Sequence, residues 1–140
     1  MTGKFICDAN TGHSPKAEFY KEWSKWFVEE DVEKINEALD EDIEWEMVGD
    51  SNISGKEAVR EAFFKREEQD THENELIELH IENILSHGKG VCGWGTMKMS
   101  PDKTYRFCDI LEFANHKSDA KVKKVIAFVM EISEEDDSKK

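Results

Sequence analysis

The sequence predicts an α+β fold in which a curved antiparallel sheet wraps around an N-terminal helix. Three observations predict it. Apolar residues recur at steps of three and four between Ser14 and Leu39, the spacing of a helix face. From Glu75 to Ile132 the repeat changes to every second residue over long runs, the spacing of strands. Between these regions lie one short alternating run and one further helical pattern, and helices followed by a meander of strands read as α+β.

Taking the elements in order, residues 1–13 read as a loose arm. Ser14-Pro15 opens the first helix, because serine caps free N–H groups and proline is tolerated in the first turn. Ala17, Phe19, Tyr20, Trp23, Trp26 and Phe27 then form one broad apolar stripe that needs a large partner surface. A shorter helix carries Val32, Ile35, Ala38 and Leu39 and ends at Asp40-Glu41-Asp42. Residues 43–48 alternate as a first strand, followed by a turn at Gly49-Asp50-Ser51-Asn52. Ser54-Gly55-Lys56-Glu57 matches a capping box ahead of a third helix running to about Gln69. Ile77, Leu79, Ile81 and Leu85 share one parity of the next strand. A Ser86–Gly90 turn leads to a strand from Val91 to Met99, in which Gly93 and Gly95 mark a bend or bulge. Tyr105–Phe113 and Val122–Ile132 complete the sheet. The domain is therefore expected over residues 14–132, with a solvated acidic tail at 133–140.

Composition narrows the function classes. At 140 residues the chain is one domain by size, 38% hydrophobic and 36% charged. Thirty-two acids against nineteen bases leave a net charge of −13, which repels nucleic-acid phosphates and anionic lipid alike. Neither nucleic acid nor membrane is expected as a partner, and no apolar run approaches the length of a membrane helix. Cys7, Cys92 and Cys108 are odd in number and lack paired spacing, as suits free thiols in a reducing compartment. The N-terminal residues lack the apolar core of a secretory signal, so a cytoplasmic location is expected. No pair of the five histidines has metal-ligand spacing, and there is no phosphate-binding glycine loop; neither metal nor cofactor is expected.

One stretch stands apart. In Tyr105–Phe113 one face carries Tyr105, Phe107, Asp109, Leu111 and Phe113, an apolar set with a carboxylate in its middle. Such a carboxylate must be hydrogen-bonded, paired or protonated, since a bare charge among aromatics is very costly. Cys108, on the opposite parity, is expected to face away as an inert thiol. Asp109 is thus either a pocket-wall acid of raised pKa, able to donate or transfer a proton, or a structural acid satisfied by a tryptophan, a tyrosine or backbone amides.

The order of elements resembles the nuclear transport factor 2-like superfamily, with its SnoaL-like polyketide cyclases and ketosteroid isomerases. The resemblance is carried by "EEDVEKINEALDEDIEWEMVGD", like the second helix entering the first strand, by "NISGKEAVREAFF", like the third helix, and by "YRFCDILEF" with "KVKKVIAFVM", like the last two strands. It spans about residues 14–132. The fold it implies is a cone: a bent, antiparallel or mixed sheet closed by helices over a deep apolar cavity. Asp109 matches the isomerase aspartate that donates to a substrate oxyanion. Glu46, in Glu46-Met47-Val48-Gly49, falls at the general-base position, although strand parity groups it with Glu44 on a solvated face. Counting back from Asp31 puts Trp23, not a tyrosine, at the oxyanion-hole position of the first helix.

The resemblance implies a cavity lined by Trp23, Trp45, Phe63, Tyr105, Phe107, Leu111 and Phe128, residues that read equally as plain core. With Glu46 as base and Asp109 as donor, the chemistry would be cofactor-free proton transfer on a small apolar or carbonyl-bearing molecule: isomerisation, cyclisation or hydration. A non-catalytic ligand-binding or protein-interaction module of the same fold is the other reading. Relatives of this shape pair through the outer sheet face, so a homodimer is implied, with Arg106 and Ile110 on that face.

Overall fold

A computed structural model describes residues 3–12, 14–69, 75–100, 102–117 and 119–132, with the backbone alone for 63–69. The chain runs β1 (Lys4–Cys7), α1 (Pro15–Glu29), α2 (Val32–Glu37), β2 (Leu39–Met47), β3 (Ser51–Ser54), α3 (Lys56–Gln69), β4 (Leu76–His87), β5 (Gly90–Met99), β6 (Lys103–Phe113) and β7 (Val122–Ile132). The strands form one mixed sheet in the order β1-β4-β5-β6-β7-β2-β3. The long strands β4 to β7 are antiparallel to one another, while β1 joins β4 and β2 joins β7 in parallel.

Helix α1 starts as its sequence predicts: the Ser14 side chain accepts from the Ala17 N–H at 3.1 Å, and Pro15 follows. It ends at Glu30, held in the left-handed region (φ 59°) while its N–H and that of Asp31 return to the Phe27 and Trp26 carbonyls. Asp31 then caps α2 by accepting from the Lys34 N–H at 3.2 Å. Of the buried side chains of α1, Ala17, Tyr20, Trp23, Ser24 and Val28 form one stripe laid against β4 and β5. Around them close Ile43 and Trp45 of β2, Leu79 and Ile81 of β4, Leu111 and Phe113 of β6, and Val125 of β7.

Four expectations change. Helix α2 ends at Glu37, so Leu39, expected in that helix, and Asp40-Glu41-Asp42, expected to stop it, belong to β2. A bulge in β4 turns Leu85, expected on the face of Leu79 and Ile81, outward to 57% exposure. Lys4–Cys7, expected inside a loose arm, is an edge strand paired from Lys4↔Glu78 to Cys7↔Ile81. It covers the open side of β4 and is secured by Asp8, whose carboxylate meets His80 Nε2 at 2.5 Å. Four residues are too few to show a period. The expected turn and capping box around 49–57 are instead a hairpin and a glycine-led helix start. Val48–Asp50 turn with Gly49 at φ 81°, and β3 pairs back from Met47↔Ser51 to Glu44↔Ser54. Gly55 (φ 91°) separates Ser54 from α3, so the serine hydroxyl lies one residue too early to cap and donates to Glu44 at 2.9 Å. The expected tail at 133–140 lies outside the described residues.

Bulges decide which side chains face inward. The β4–β5 pairing shifts between Ile81↔Gly95 and Asn83↔Trp94, where the two strand glycines lie. In β7 the pairing runs Phe113↔Val122 and then Glu112↔Lys124, which inserts Lys123 as an extra residue. Past that point Val125, Ala127 and Val129 face the helices, and Ile126, Phe128 and Met130 face away.

Candidate functional site

Asp109 occupies the middle of β6, directly opposite Gly93 on β5 and Ala127 on β7. Two small neighbours leave room above the carboxyl, and Tyr20 of α1 fills it. The fully buried Tyr20 donates its hydroxyl to Asp109 Oδ2 at 3.1 Å and lies 3.5 Å from the Gly93 carbonyl oxygen. A Cβ on Gly93 would overlap the Tyr20 ring, so the space for this contact exists because residue 93 has no side chain. Ser24, buried one turn further along α1, works against the rise in the pKa of the same phenol.

Burial sets the protonation of both partners. It raises the Asp109 carboxyl from its ordinary 3.8 to about 7, against the opposing pull of the Tyr20 hydrogen bond, which favours the ionised form. Burial also drives the Tyr20 phenol well above its ordinary 10, with the Asp109 charge adding to the shift. Near neutral pH, Tyr20 is therefore a fixed donor and Asp109 is poised between acid and carboxylate. Tyr20 takes Oδ2; among the described residues nothing hydrogen-bonds Oδ1. The half-buried Asp109 opens into a cavity of about 610 Å³. That volume lies within the ~300–1,000 Å³ range of small-molecule sites.

The wall of this cavity is aromatic on one side. Trp23 and Trp45 stack with ring centroids 5.6 Å apart, and Phe27 meets Trp23 edge-on at 5.4 Å. Phe107, Met97, Leu79 and Ala127 continue the wall along the sheet, and Glu30, Asp50 and Glu75 stand exposed at its border. Among the described residues no group of three or more His, Cys, Asp or Glu side chains could hold a metal ion.

Of the residues expected from sequence, Asp109, Trp23, Trp45 and Phe107 meet at this cavity. Glu46 does not. Its neighbours Trp45 and Met47 point in, so Glu46 lies on the opposite face of β2, as its parity indicated and its likeness to a general base did not. Phe128 is likewise on the outer face, 38% exposed, because the extra residue in β7 reverses the parity counted from Val122. Leu111 is fully buried in the core beside Val91 and Val125 and does not reach the cavity. Tyr105 has the inward parity but is half-buried near the start of β6, where Met97 and Val129 supply the wall instead. The side chain of Phe63 lies outside the described residues. Cys108 faces away, and burial, with Cys92 and Asp109 nearby, raises its thiol pKa.

Tyr20 is the residue that counting positions missed. A phenol does reach the acid, but from one helical turn before Trp23. The signal was present in Gly93, the one residue opposite Asp109 on β5 that could admit a ring.

Comparisons with known proteins agree with this architecture. Comparison with curated proteins finds no match. Among solved structures, an epoxide hydrolase of the LEH-like kind from M. tuberculosis is 17% identical, with a TM-score of 0.66 over 83% of each chain. A Kribbella flavida protein provisionally assigned as a ketosteroid isomerase is 13% identical, with a TM-score of 0.65 over 85% of this chain and 80% of that one. A nuclear transport factor 2-like protein of unknown function from Cytophaga hutchinsonii is 17% identical, with a TM-score of 0.60 over 81% of this chain and 98% of its own. At such identities the likeness shows the shared fold. The SnoaL-like domain model matches residues 17–119, most of the span from α1 to the approach of β7, and the chain belongs to that family.

Proposed function

We propose that this protein binds a small apolar, carbonyl-bearing molecule in the cavity, with the carbonyl oxygen against Asp109, and that the contact serves cofactor-independent proton transfer. The supporting observation is the Tyr20–Asp109 pair: an acid held near half-protonation inside an aromatic-walled cavity, with one oxygen engaged and the other open. Protonated, Asp109 donates to a carbonyl and stabilises the oxyanion as charge develops. On a carbonyl compound, isomerisation and cyclisation through an enolate, and addition of water to the carbonyl or to an alkene conjugated with it, all develop that charge. A non-catalytic binding role is the second reading, and the outward aim of Glu46 favours it, since the expected base is missing from the cavity.

The test is a thermal-shift screen with neutral polycyclic ketones at two pH values. Ligand-induced stabilisation is expected to be larger at pH 5.5 than at pH 8, because the donor form is populated below about 7. Asp109→Ala should weaken ketone binding about tenfold, the worth of one hydrogen bond to a group of this kind. Equal ketone binding by wild type and Asp109→Ala, at both pH values, would sink the reading.

The outer sheet face is proposed as the contact with a second copy of the chain. Leu85, Cys92, Ile110 and Ile126 line up across β4 to β7, with Trp94, Cys108 and Phe128 in the adjoining row. This block contains no charged side chain in a chain of net charge −13, so it is where two copies can meet without repulsion. Phe128→Glu is expected to turn a dimer into a monomer in sedimentation velocity at micromolar concentration. A monomeric wild type would contradict this.

A further inference from the structure

Among the described residues, the charged groups that line the cavity are all acidic. Asp109 lies inside, Glu30 at the end of α1, Asp50 in the β2–β3 turn and Glu75 at the border; among the described residues no Lys, Arg or His side chain lines it. Asp109 shares the cavity wall with Trp23, which is stacked on Trp45, and with Phe27, edge-on to Trp23. A carboxylate facing aromatic rings is the arrangement that recognises an ammonium group, because ring faces attract cations and the carboxylate supplies the counter-charge. An anionic ligand meets the reverse: a second negative charge beside Asp109, in low dielectric, with no counter-ion in the described wall.

We propose that the cavity takes an apolar amine, its ammonium against the Asp109 carboxylate and the aromatic wall, and rejects the same skeleton carrying a carboxylate. This rests on the cavity being a small-molecule site, as proposed above, and not on any catalysis there. The ammonium relieves the cost that an ionised Asp109 bears in the empty protein, so ligand and fold are coupled through one charge. The coupling has a defined pH dependence. Facing Asp109 are Tyr20 from α1, Gly93 from β5 and Ala127 from β7, none of them charged at neutral pH; the Tyr20 phenol stays protonated throughout, and the neighbouring Cys108 thiol, its pKa raised from 9.0, stays neutral as well. Only Asp109 among these groups changes charge between pH 5.5 and pH 8. Glu30, Asp50 and Glu75 are exposed, so their contribution is screened by salt and that of Asp109 much less so.

The experiment is calorimetric titration of the full chain with three probes sharing one rigid skeleton: 1-adamantylamine, 2-adamantanone and adamantane-1-carboxylate. At pH 8 the amine is expected to bind about tenfold or more tightly than the ketone, with no measurable binding of the carboxylate. The advantage of amine over ketone should shrink about tenfold at pH 5.5 and survive added salt. Asp109→Asn should abolish it, whereas Glu30→Gln should reduce it slightly and only at low salt. Carboxylate binding equal to that of the amine, or an amine preference that persists in Asp109→Asn, overturns the proposal. Ketone binding without amine binding overturns it while leaving the cavity reading intact. Failure of all three probes overturns both.

Discussion

Asp109→Asn is expected to raise the free energy of unfolding at pH 8 and to leave it nearly unchanged at pH 4. The unfolded chain releases this proton near 3.8, while the fold holds it until about 7. Below both values the group is protonated in either state and contributes no pH dependence. Between them the folded state binds more protons than the unfolded one, so stability falls as pH rises. Above about 7 the loss is complete and levels off. At about 1.4 kcal/mol per pKa unit, the full cost is on the order of 4 kcal/mol. Asparagine removes the ionisation and keeps an oxygen for the Tyr20 hydroxyl, so it should recover a large part, roughly 2–3 kcal/mol at pH 8. Urea unfolding of both proteins at pH 4, 6 and 8 measures this. Curves that stay parallel across the three values would show that Asp109 ionises freely in the fold and would remove the basis for its role as a donor.

Gly93→Ala should destabilise the protein by about 3 kcal/mol or more, the upper end of what overpacking a core usually costs. Backbone preference argues the other way, since alanine in a strand interior is worth roughly 0.5–1 kcal/mol over glycine. Sterics decide the sign. The added Cβ would sit within the Tyr20 ring, and that ring, fully buried and hydrogen-bonded to Asp109, cannot swing aside without giving up both contacts. A smaller side chain at position 20 should remove most of the penalty, so Gly93→Ala and Tyr20→Leu are expected to be strongly non-additive in a double-mutant cycle. A Gly93→Ala protein within ~0.5 kcal/mol of wild type would mean that the helix does not press on the sheet at this point.

Long periodic segments were legible before any coordinates. The stripe from Ala17 to Phe27 and the existence of the long strands β4 to β7 rest on periods repeated often enough to be read, and the unbroken alternation of β6 isolates its one acid; the bulge in β4 hid only which face Leu85 takes. Short elements were not. Lys4–Cys7 and Ser51–Ser54 are four residues each, and their pairing depends on the edges they cover instead of a pattern of their own. The site was half legible. Asp109, Phe107 and Trp45 follow from strand parity, and Trp23 from the helical stripe. Phe128 was placed in the cavity by likeness alone; one inserted residue in β7 reverses every parity beyond it, and the doubled lysine of Val122-Lys123-Lys124-Val125 is the break in alternation where that happens. Glu46 was misplaced by likeness alone; its own alternation with Trp45 and Met47 already pointed outward.

By itself, the sequence determined the class of fold, the helix that the sheet encloses, and the presence of an acid where only apolar groups belong. All three are local, since helix and strand periods act over a few residues and the cost of burying a charge belongs to the residue that bears it. The tertiary structure alone decided what that acid meets. Tyr20 and Asp109 are separated by 89 positions, and they touch because Gly93, on a third element, leaves the gap between them. A cavity, too, belongs to no single segment: it is the volume left where helix and sheet fail to fill the space between them, and only their final packing sets its size and its walls.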